Sequence, residues 1–304
     1  MSMDENSKVW YNGKIIPYGE AKVPVLTHSL QYGTGIFEGI RAYETKDGAA
    51  IFRLEEHMKR FMRTAHIYSY DLGYDLKELM EAVKTVVREN GLKSCYIRPF
   101  AFVDDDRINL VTHGKKISTF IAALPFTTLF DKADKGISCK VSSWRRINSD
   151  ILPIQAKASG NYINSIAADL DAHASGFDEA ILLSLNGFVA EGAGENIFLV
   201  EDGEIVTPSK ESDILIGITR DAIIRIAKSM DLTVTERFVH RDELYYADEI
   251  FFAGTAAEVT PIVNVDGVKV GSGSVGEITG KIREAFFKVV KGESSQFKDW
   301  LTVV

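Results

Sequence analysis

The sequence predicts an α/β protein of the α+β kind, with two domains that contain largely antiparallel sheets. At about 150 residues per domain, a length of 304 residues corresponds to roughly two domains. Asn-Gly and Asp-Gly dipeptides favour the type I′ turns of hairpins, which join antiparallel strands. Amphipathic helical segments separate these turns in both halves of the chain. The turn dipeptides begin at Asn12, Asp47, Asn186, Asp202 and Asp266.

The first half of the chain contains two predicted helices. Residues 53–67 place their apolar side chains on one helical stripe and leave most charged side chains to solvent. Residues 75–89 repeat this pattern, with Asp75 as a capping residue and Glu78 completing a capping box. A strand-like run follows at 117–124.

The run at 117–124 stops at Pro125, and the stretch that follows has the composition of a linker. We therefore expect a small N-terminal α/β domain at 1–124, an interdomain loop at 125–136 and a large C-terminal domain at 137–304. In the C-terminal domain, helices are predicted at 160–175, 220–230 and 276–291. Strands are predicted at 137–144, 179–185, 188–191, 195–200, 204–206 and 249–253.

Charge and cysteine usage restrict the partners and the compartment. Lys plus Arg number 35 against 43 for Asp plus Glu, and the net charge of −8 gives no general attraction to nucleic acid or anionic membranes. Cys95 and Cys139 form no secreted-type framework. No apolar stretch approaches the roughly 20 residues that span a bilayer. We expect a cytoplasmic protein that binds neither nucleic acid nor membranes.

The sequence contains no common catalytic or nucleotide-binding motif in the structural context that such a motif requires. Residues 271–276, Gly-Ser-Gly-Ser-Val-Gly, match a dinucleotide-binding fingerprint, but no second strand follows to complete the nucleotide site. A loop before the last helix is the better interpretation. The histidines show no metal-ligand spacing, and the nucleophile-elbow and P-loop patterns do not occur. We therefore expect no metal site.

Lys157 and Glu191 are the residues best suited to chemistry. Lys157 stands among small residues at a predicted loop-to-helix junction, where burial would favour the free amine that forms a Schiff base with a carbonyl. A solvent-exposed lysine is the alternative. Glu191 ends a hairpin strand and enters a glycine-rich stretch. A buried carboxylate needs a partner such as a protonated pyridine nitrogen, and a turn or salt-bridge glutamate is the alternative.

Two further segments are typical of an anion site. Residues 215–221 open an amphipathic helix, whose first N–H groups and dipole favour a phosphate. Residues 254–257 are small and follow a predicted strand, which permits close approach of the backbone to an anion. Each segment by itself is also typical of an ordinary cap or turn.

Together these segments resemble the fold-type IV pyridoxal-phosphate enzymes, and within them the branched-chain amino acid aminotransferases. The resemblance covers nearly the whole chain. It implies the fold-type IV architecture and a homodimer or higher homo-oligomer. It also implies transfer of the amino group of L-leucine, L-isoleucine or L-valine to 2-oxoglutarate by a ping-pong mechanism, with L-glutamate and the 2-oxo acids as partner substrates. The matching motifs occupy residues 32–41, 52–61, 96–99, 157–162, 191–196, 217–220 and 254–258.

The resemblance also implies roles toward pyridoxal 5′-phosphate. Lys157 is the catalytic residue, which binds the cofactor and moves a proton between the substrate α-carbon and the cofactor. Glu191 holds the pyridine nitrogen, and Tyr162 hydrogen-bonds the ring hydroxyl. The implied phosphate ligands are Arg60, the N–H groups of Ile218 and Thr219, and the hydroxyl of Thr255.

For the substrate, the resemblance implies that Tyr96 and the backbone at Thr255 and Ala256 bind the α-carboxylate. Arg98 accommodates the distal carboxylate of glutamate or 2-oxoglutarate. A pocket that accepts both an apolar and a charged side chain needs apolar walls with a polar exit. The implied walls are Tyr32, Phe37 and Tyr162.

Two segments depart from the family pattern. Residues 125–130 lack the tryptophan and tyrosine that flank a glycine in many relatives, and residues 103–110 carry three acids and Arg107 in place of a glycine-containing loop. The second departure is either a solvated loop tip or a change in amino-acceptor or side-chain preference. Alternative functions are a D-amino acid or (R)-amine transaminase, an aminodeoxychorismate lyase, and a non-catalytic binding protein of the same fold. The Tyr96-Ile-Arg98-Pro motif favours the L-branched-chain class.

Overall fold

A computed structural model of the chain describes residues 3–126, 128–130 and 133–304. Contacts divide the chain into two compact units. Unit 1 comprises residues up to 127, 156–160 and 289–304, and unit 2 comprises 128–155 and 161–288. The domain boundaries at 1–124, 125–136 and 137–304 stay a prediction. Thr127, Asp131 and Lys132 of the predicted interdomain loop lie outside the described residues.

The described part of the chain contains seven α-helices and seventeen strands. The helices are α1 (His28–Tyr32), α2 (Leu54–Ile67), α3 (Leu76–Glu89), α4 (Tyr162–Ala174), α5 (Ile218–Ser229), α6 (Glu243–Tyr246) and α7 (Glu277–Val290). The strands are β1 (Lys8–Tyr11), β2 (Lys14–Pro17), β3 (Gly35–Phe37), β4 (Ile40–Thr45), β5 (Gly48–Phe52), β6 (Cys95–Val103), β7 (Ile117–Pro125), β8 (Ile137–Arg145), β9 (Glu179–Leu183), β10 (Val189–Gly192), β11 (Asn196–Glu201), β12 (Glu204–Pro208), β13 (Val234–Arg237), β14 (Glu249–Gly254), β15 (Glu258–Val265), β16 (Val268–Lys269) and β17 (Leu301–Val303).

Unit 1 is built on an antiparallel sheet of eight described strands, in the order β17-β5-β4-β6-β7-β1-β2 with β3 paired to β6. The apolar stripes of α2 and α3 pack in its core, where Met58, Phe61, Leu79 and Val83 are fully buried. Both helices were predicted from these stripes, and both are confirmed. The capping box is also confirmed: the Glu78 N–H donates to the Asp75 carboxylate, and the Asp75 N–H donates to the Glu78 carboxylate.

Unit 2 is built on a mixed sheet of nine described strands, in the order β10-β9-β8-β15-β14-β11-β12-β13 with β16 paired to β15. A further pairing of β10 with β11 closes six of these strands into a ring. The pairs β8–β9, β8–β15 and β12–β13 are parallel. Parallel neighbours need long crossover connections, and α4 and α5 lie in two of them. Turn dipeptides predict only hairpins, so they could not predict these pairs.

The predicted hairpins form, but two of their turns differ from the expected type. At Asp47 the loop is shifted by one residue, because Gly48 already pairs with Thr45. At Asn186 the loop is longer, since Ser184 closes it with a backbone hydrogen bond to Phe188 at 2.7 Å. The positive φ angles that a type I′ turn requires occur at the other three dipeptides, which begin at Asn12, Asp202 and Asp266.

The glycine-rich segment 271–276 lies before α7, and the chain itself supplies an anion to this helix end. The Glu249 carboxylate accepts hydrogen bonds from the N–H groups of Ile278 and Thr279, at 2.9 and 2.6 Å. A Cβ added at Gly276 would lie 2.0 Å from the Glu249 carboxyl carbon. The carboxylate takes the position in which a dinucleotide phosphate would bind, in agreement with the interpretation of this segment as a loop.

Neither a transmembrane helix nor a metal-ligand cluster is found in the part of the chain that the structure describes. No helix there is long and apolar enough to cross a membrane. No group of three or more His, Cys, Asp or Glu side chains there is arranged to hold a metal ion.

Candidate active site

Main-chain hydrogen bonds hold Lys157 in unit 1. Its carbonyl accepts from the N–H of Phe37 at 2.9 Å, and its N–H donates to Thr64 Oγ1 on α2 at 3.3 Å. The neighbouring Ala158 forms an isolated bridge with Ile36 on β3. The Lys157 side chain extends over the Phe37 ring, with Nζ 5.1 Å from the ring centroid. The amine therefore projects from a backbone that is fixed to β3 and to α2.

The Phe37 ring also supports Arg98, whose guanidinium carbon lies 4.5 Å from the ring centroid. Arg98 is half-buried on β6 and donates from Nη2 to the Tyr96 hydroxyl at 2.8 Å. Tyr96 in turn lies over Gly39, where an added Cβ would be 2.2 Å from the hydroxyl oxygen. Three of the predicted substrate residues, Phe37, Tyr96 and Arg98, are thus together and in contact.

Tyr32, the fourth predicted substrate residue of unit 1, lies at the end of α1. Its side chain is 37% exposed, and its ring lies 4.7 Å from that of His28. The next residue, Gly33, accepts a hydrogen bond from the N–H of Gly160 at 3.1 Å. The end of α1 is therefore fixed to the segment that carries Lys157, while the Tyr32 side chain faces solvent in the single chain.

Arg60 lies on the buried face of α2 and forms an ion pair with Glu38. Arg60 Nε donates to Glu38 Oε1 at 2.6 Å, and Nη2 donates to Oε2 at 2.9 Å. His57 Nδ1 lies 2.8 Å from the same Oε2. Burial raises the pKa of Glu38, but the charge and hydrogen bonds of Arg60 outweigh burial and hold this pKa below its usual range. Burial lowers the pKa of His57, so the ring is neutral at pH 7 and donates from Nδ1 to the carboxylate.

Glu191 lies in unit 2 at the pairing of β10 with β11 that closes the ring of strands. Its carboxylate is buried and held from two sides. Oε2 accepts from Asn196 Nδ2 at 3.2 Å and from the N–H of Leu215 at 3.1 Å, and Oε1 lies 2.7 Å from Nε of the buried Arg146. Since an isolated buried carboxylate is costly, these partners keep Glu191 in place as an anion.

The N-terminus of α5 lies next to the same network. Asn196 Nδ2 also donates to the Leu215 carbonyl at 3.0 Å, and a Cβ added at Gly217 would lie 2.1 Å from Asn196 Oδ1. Gly217 is the N-cap residue of α5, and it has no side chain that could cap the helix. Ile218 and Thr219 are the first residues of α5, and N–H groups at such a helix end are of the kind that can bind an anion.

Thr255 and Ala256 lie in the short loop between β14 and β15, where Gly254 pairs with Glu258. Both loop residues are half-buried. The register places Asn196 opposite Ala253, so this loop begins directly beyond the Asn196 pairing. The structure thus brings Glu191, the α5 N-terminus and the Thr255 loop to one end of the sheet in unit 2. Tyr162 is half-buried at the start of α4.

In the loop at 103–110, two of the three acidic side chains form ion pairs with basic side chains of the same chain. Asp104 accepts from Lys116 Nζ at 2.6 Å and from a neighbouring serine. Asp105 accepts from Lys115 Nζ at 2.8 Å and from the Arg107 guanidinium. These contacts order the loop, and a changed acceptor preference stays a hypothesis.

Several residues that build the site were not predicted from sequence. Thr64 contacts Lys157 and Glu38 contacts Arg60, and neither contact can be predicted from the residues next to it in the sequence. The one available signal was an acidic residue, Glu38, in an otherwise apolar stretch. Arg146 follows another arginine at a strand end and is indistinguishable from an exposed residue by sequence. Gln155 holds the loop before α5, donating to the Ile214 carbonyl at 2.8 Å and accepting from the N–H of Ile216 at 3.3 Å.

Known proteins are similar to this chain in sequence and in fold over nearly their full length. The sequence model of the family described as Amino-transferase class IV matches residues 35–265. The branched-chain-amino-acid aminotransferase of Salmonella typhimurium is 43% identical over 307 residues, which cover 100% of this chain and 99% of the relative.

Solved structures of branched-chain aminotransferases are also similar to this chain. A branched-chain aminotransferase from Thermoproteus uzoniensis with norvaline has 45% identity and a TM-score of 0.93, covering 97% of this chain and 98% of that chain. The T.th. branched-chain amino acid aminotransferase complexed with N-(5′-phosphopyridoxyl)-L-glutamate has 43% identity and a TM-score of 0.95, covering 99% of both chains. These similarities confirm the predicted fold-type IV architecture. The chain belongs to the class IV amino-transferase family.

Proposed function

We propose that the protein is a pyridoxal-phosphate-dependent transaminase that moves the amino group of L-leucine, L-isoleucine or L-valine to 2-oxoglutarate. The observation that carries this proposal is the placement of the Lys157 amine and the Arg98 guanidinium on one ring, that of Phe37. A reactive amine thereby shares an apolar surface with a cation suited to a carboxylate. The full-length similarity to branched-chain enzymes supports the choice of substrate.

The residues present fit pyridoxal 5′-phosphate. The donor set comprises a primary amine at Lys157, a fixed buried carboxylate at Glu191 and an uncapped helix end at Ile218. Asn196 lies so close to Gly217 that no side chain fits there, which keeps the helix end open to an anion. We assign the phosphate to Arg60, the N–H groups of Ile218 and Thr219, and the Thr255 hydroxyl, and the ring hydroxyl to Tyr162. When bound, the cofactor supplies an aldehyde for the amino group and an electron-withdrawing ring.

Glu191 holds a proton on the pyridine nitrogen in this proposal. Arg146 and the Leu215 N–H keep the carboxylate ionised and oriented, so it favours the protonated ring nitrogen. Each unit by which the pairing raises the pKa of that nitrogen corresponds to about 1.4 kcal/mol.

Lys157 is the residue that moves the proton in this proposal. Its Nζ takes the proton from the substrate α-carbon and returns it at the cofactor carbon, as a general base and then a general acid. Hydrogen bonds to Phe37 and Thr64 fix the backbone, so the flexible side chain alone carries this motion.

The apolar ring of Phe37 and the cation of Arg98 explain how one pocket accepts two kinds of side chain. We propose that a branched side chain packs on Phe37, Tyr32 and Tyr162, and that the distal carboxylate of L-glutamate or 2-oxoglutarate binds Arg98. Tyr96 and the backbone at Thr255 and Ala256 bind the α-carboxylate. A guanidinium stacked on aromatic rings is oriented to bind a carboxylate.

We further propose that two copies of the chain associate, since each unit carries an exposed apolar face. In unit 2, the α4 residues Ile163, Ile166 and Leu170 are 67%, 52% and 63% exposed and share one side of the helix. In unit 1, backbone and side-chain hydrogen bonds from His28 to the carbonyls of residues 105 and 109 join α1 to a loop with exposed apolar residues. The exposed residues of this second face are Val25, Leu26, Leu30, Ile108, Leu110 and Val111. Such patches mark protein interfaces.

We also propose a reducing, cytoplasmic location. Both cysteines, Cys95 and Cys139, are buried and free. Free thiols are typical of proteins in a reducing compartment, where disulfides are rare.

The reaction is tested by half-reactions of the purified, cofactor-loaded protein with single amino acids. We expect L-leucine, L-isoleucine, L-valine and L-glutamate to convert the cofactor spectrum from its aldehyde to its amine form, and D-amino acids to leave it unchanged. Lys157→Ala should slow this conversion by roughly 10³-fold, since it removes the acid–base group. Conversion by D-amino acids alone, or by (R)-amines alone, would instead establish a D-amino acid transaminase or an (R)-amine transaminase. A colourless protein that reacts with none of these donors would exclude every one of these transaminase activities.

Glu191→Gln should keep the cofactor bound but reduce turnover by at least about 100-fold, because the neutral amide no longer stabilises a charged ring nitrogen. Turnover and cofactor content are measured on the same sample. Glu201→Gln, on the neighbouring strand β11, serves as the control. Unchanged turnover in Glu191→Gln would disprove the assigned role.

Arg98→Leu should raise the KM for 2-oxoglutarate about 10- to 100-fold, as expected for losing a hydrogen bond to a charged group. The KM for the branched oxo acids should change by much less. Arg88→Leu, on the exposed face of α3, is the matched control. An equal effect on both classes of oxo acid would argue against recognition of the distal carboxylate by Arg98.

Ile166→Glu should dissociate the assembly, since it places a charge in the apolar face of α4. Light scattering should report at least two chains per particle for the wild type and one for the variant. Val268→Glu changes an exposed valine elsewhere in unit 2 and should leave the particle mass unchanged. A monomeric wild type would refute the proposed association.

A further inference from the structure

The Glu38 carboxylate is fully buried and receives hydrogen bonds from two other buried side chains. Both of its oxygens are used by Arg60, through Nε at 2.6 Å and Nη2 at 2.9 Å, and Oε2 also accepts from His57 at 2.8 Å. Glu38, His57 and Arg60 are 0%, 1% and 6% exposed. The two-nitrogen geometry of this pair fixes the plane of the guanidinium as well as its position.

The same short segment of chain also fixes Lys157. Phe37, which precedes Glu38, donates its N–H to the Lys157 carbonyl. On α2, Thr64 lies one turn after Arg60 and accepts from the Lys157 N–H. Residues 37–38 and α2 therefore set the location of the Arg60 guanidinium relative to the Lys157 backbone.

Fold stability alone does not explain a buried ion pair at this position. Replacing such a pair with packed apolar side chains is often neutral or stabilising, whereas leaving one charge unpaired is strongly destabilising. Arg60 is therefore not required by the core, and Glu38 is required once Arg60 is present. What the pair provides is a guanidinium held in one orientation.

We propose that Glu38 is a positioning residue for Arg60, which it orients toward the phosphate of pyridoxal 5′-phosphate. The inference rests on the proposed function, in which Arg60 is a phosphate ligand. A guanidinium has five N–H bonds, and Glu38 takes one from Nε and one from Nη2. The orientation set by Glu38 determines the direction of the other three.

Charge and orientation predict opposite effects for removal of Glu38. The Glu38 carboxylate neutralises Arg60, so Coulomb attraction alone predicts tighter binding of a phosphate dianion when this carboxylate is lost. Orientation predicts weaker binding, because the amide of Glu38→Gln presents an NH₂ group to one of the Arg60 donors and breaks the two-nitrogen contact. The sign of the change therefore separates the two effects.

The experiment compares pyridoxal 5′-phosphate with pyridoxal, which lacks the phosphate. Cofactor-free protein is titrated with each compound, and the ratio of the two Kd values measures the contribution of the phosphate. The variants are Glu38→Gln and the charge-retaining Glu38→Asp. The matched control is Glu55→Gln, which removes an exposed partner of Lys59 on the same helix.

For Glu38→Gln we expect the preference for the phosphorylated compound to fall at least about tenfold, which corresponds to about 1.4 kcal/mol. The Kd of pyridoxal should remain within about twofold of the wild type, and Glu55→Gln should match the wild type with both compounds. Glu38→Asp should give a smaller loss in the same direction, because it keeps the charge but moves it by one methylene.

An unchanged or increased preference for the phosphorylated compound in Glu38→Gln would overturn the inference. A proportional loss for both compounds would also overturn it, since that result indicates a general structural defect. If thermal melting shows that Glu38→Gln does not fold, the ratio for Glu38→Asp decides by the same criteria. A wild type that binds neither compound would refute the proposed function itself, which is a distinguishable result.

Discussion

The position of the Lys157 amine depends on hydrogen bonds made by its own peptide groups. The Phe37 N–H and the Thr64 hydroxyl hold the carbonyl and the N–H of Lys157, and the bridge between Ile36 and Ala158 extends this contact. In the proposed function the Lys157 amine moves a proton, which requires a mobile side-chain tip on a fixed backbone. Strand β3 and helix α2 provide the fixed base, and the aromatic ring of Phe37 limits the path of the tip.

One buried carboxylate in each unit, Glu38 or Glu191, lies beside a buried arginine within a hydrogen-bond network. In unit 1, the Glu38 carboxylate is matched by Arg60 and by the neutral His57. In unit 2, the Glu191 carboxylate is matched by Arg146 and by donors from Asn196 and the main chain. Unpaired, either carboxylate would take up a proton or destabilise the fold. Pairing keeps both ionised, and the rigid partners keep both in one orientation.

The sequence predicted elements with a local signal well. The helices at 53–67 and 75–89 have clear apolar stripes, and the hairpins at Asn12 and Asp202 have turn residues with the required positive φ. The long central strand β6 and the pairing of the C-terminal Leu301–Val303 with β5 were not predicted. Such pairings join residues that are far apart in sequence, and nothing in either segment alone encodes its partner.

The same distinction applies to the site. Lys157 and Glu191 were singled out because of unusual residue types in glycine-rich or small-residue surroundings, and family resemblance supplied their roles. Glu38, Thr64 and Arg146 were missed because each acts through a neighbour brought close only by folding. Their importance follows from distances and burial, which a single sequence does not contain.

One consequence of the peptide-group contacts at Lys157 concerns divergence within the family. Relatives at 43% identity differ at more than half of the aligned positions. A bond from the N–H of residue 37 survives any replacement of that side chain except proline. Under the proposed function, the side chain at position 37 can therefore change, and with it the choice of substrate, while the main-chain bond continues to hold Lys157 in place.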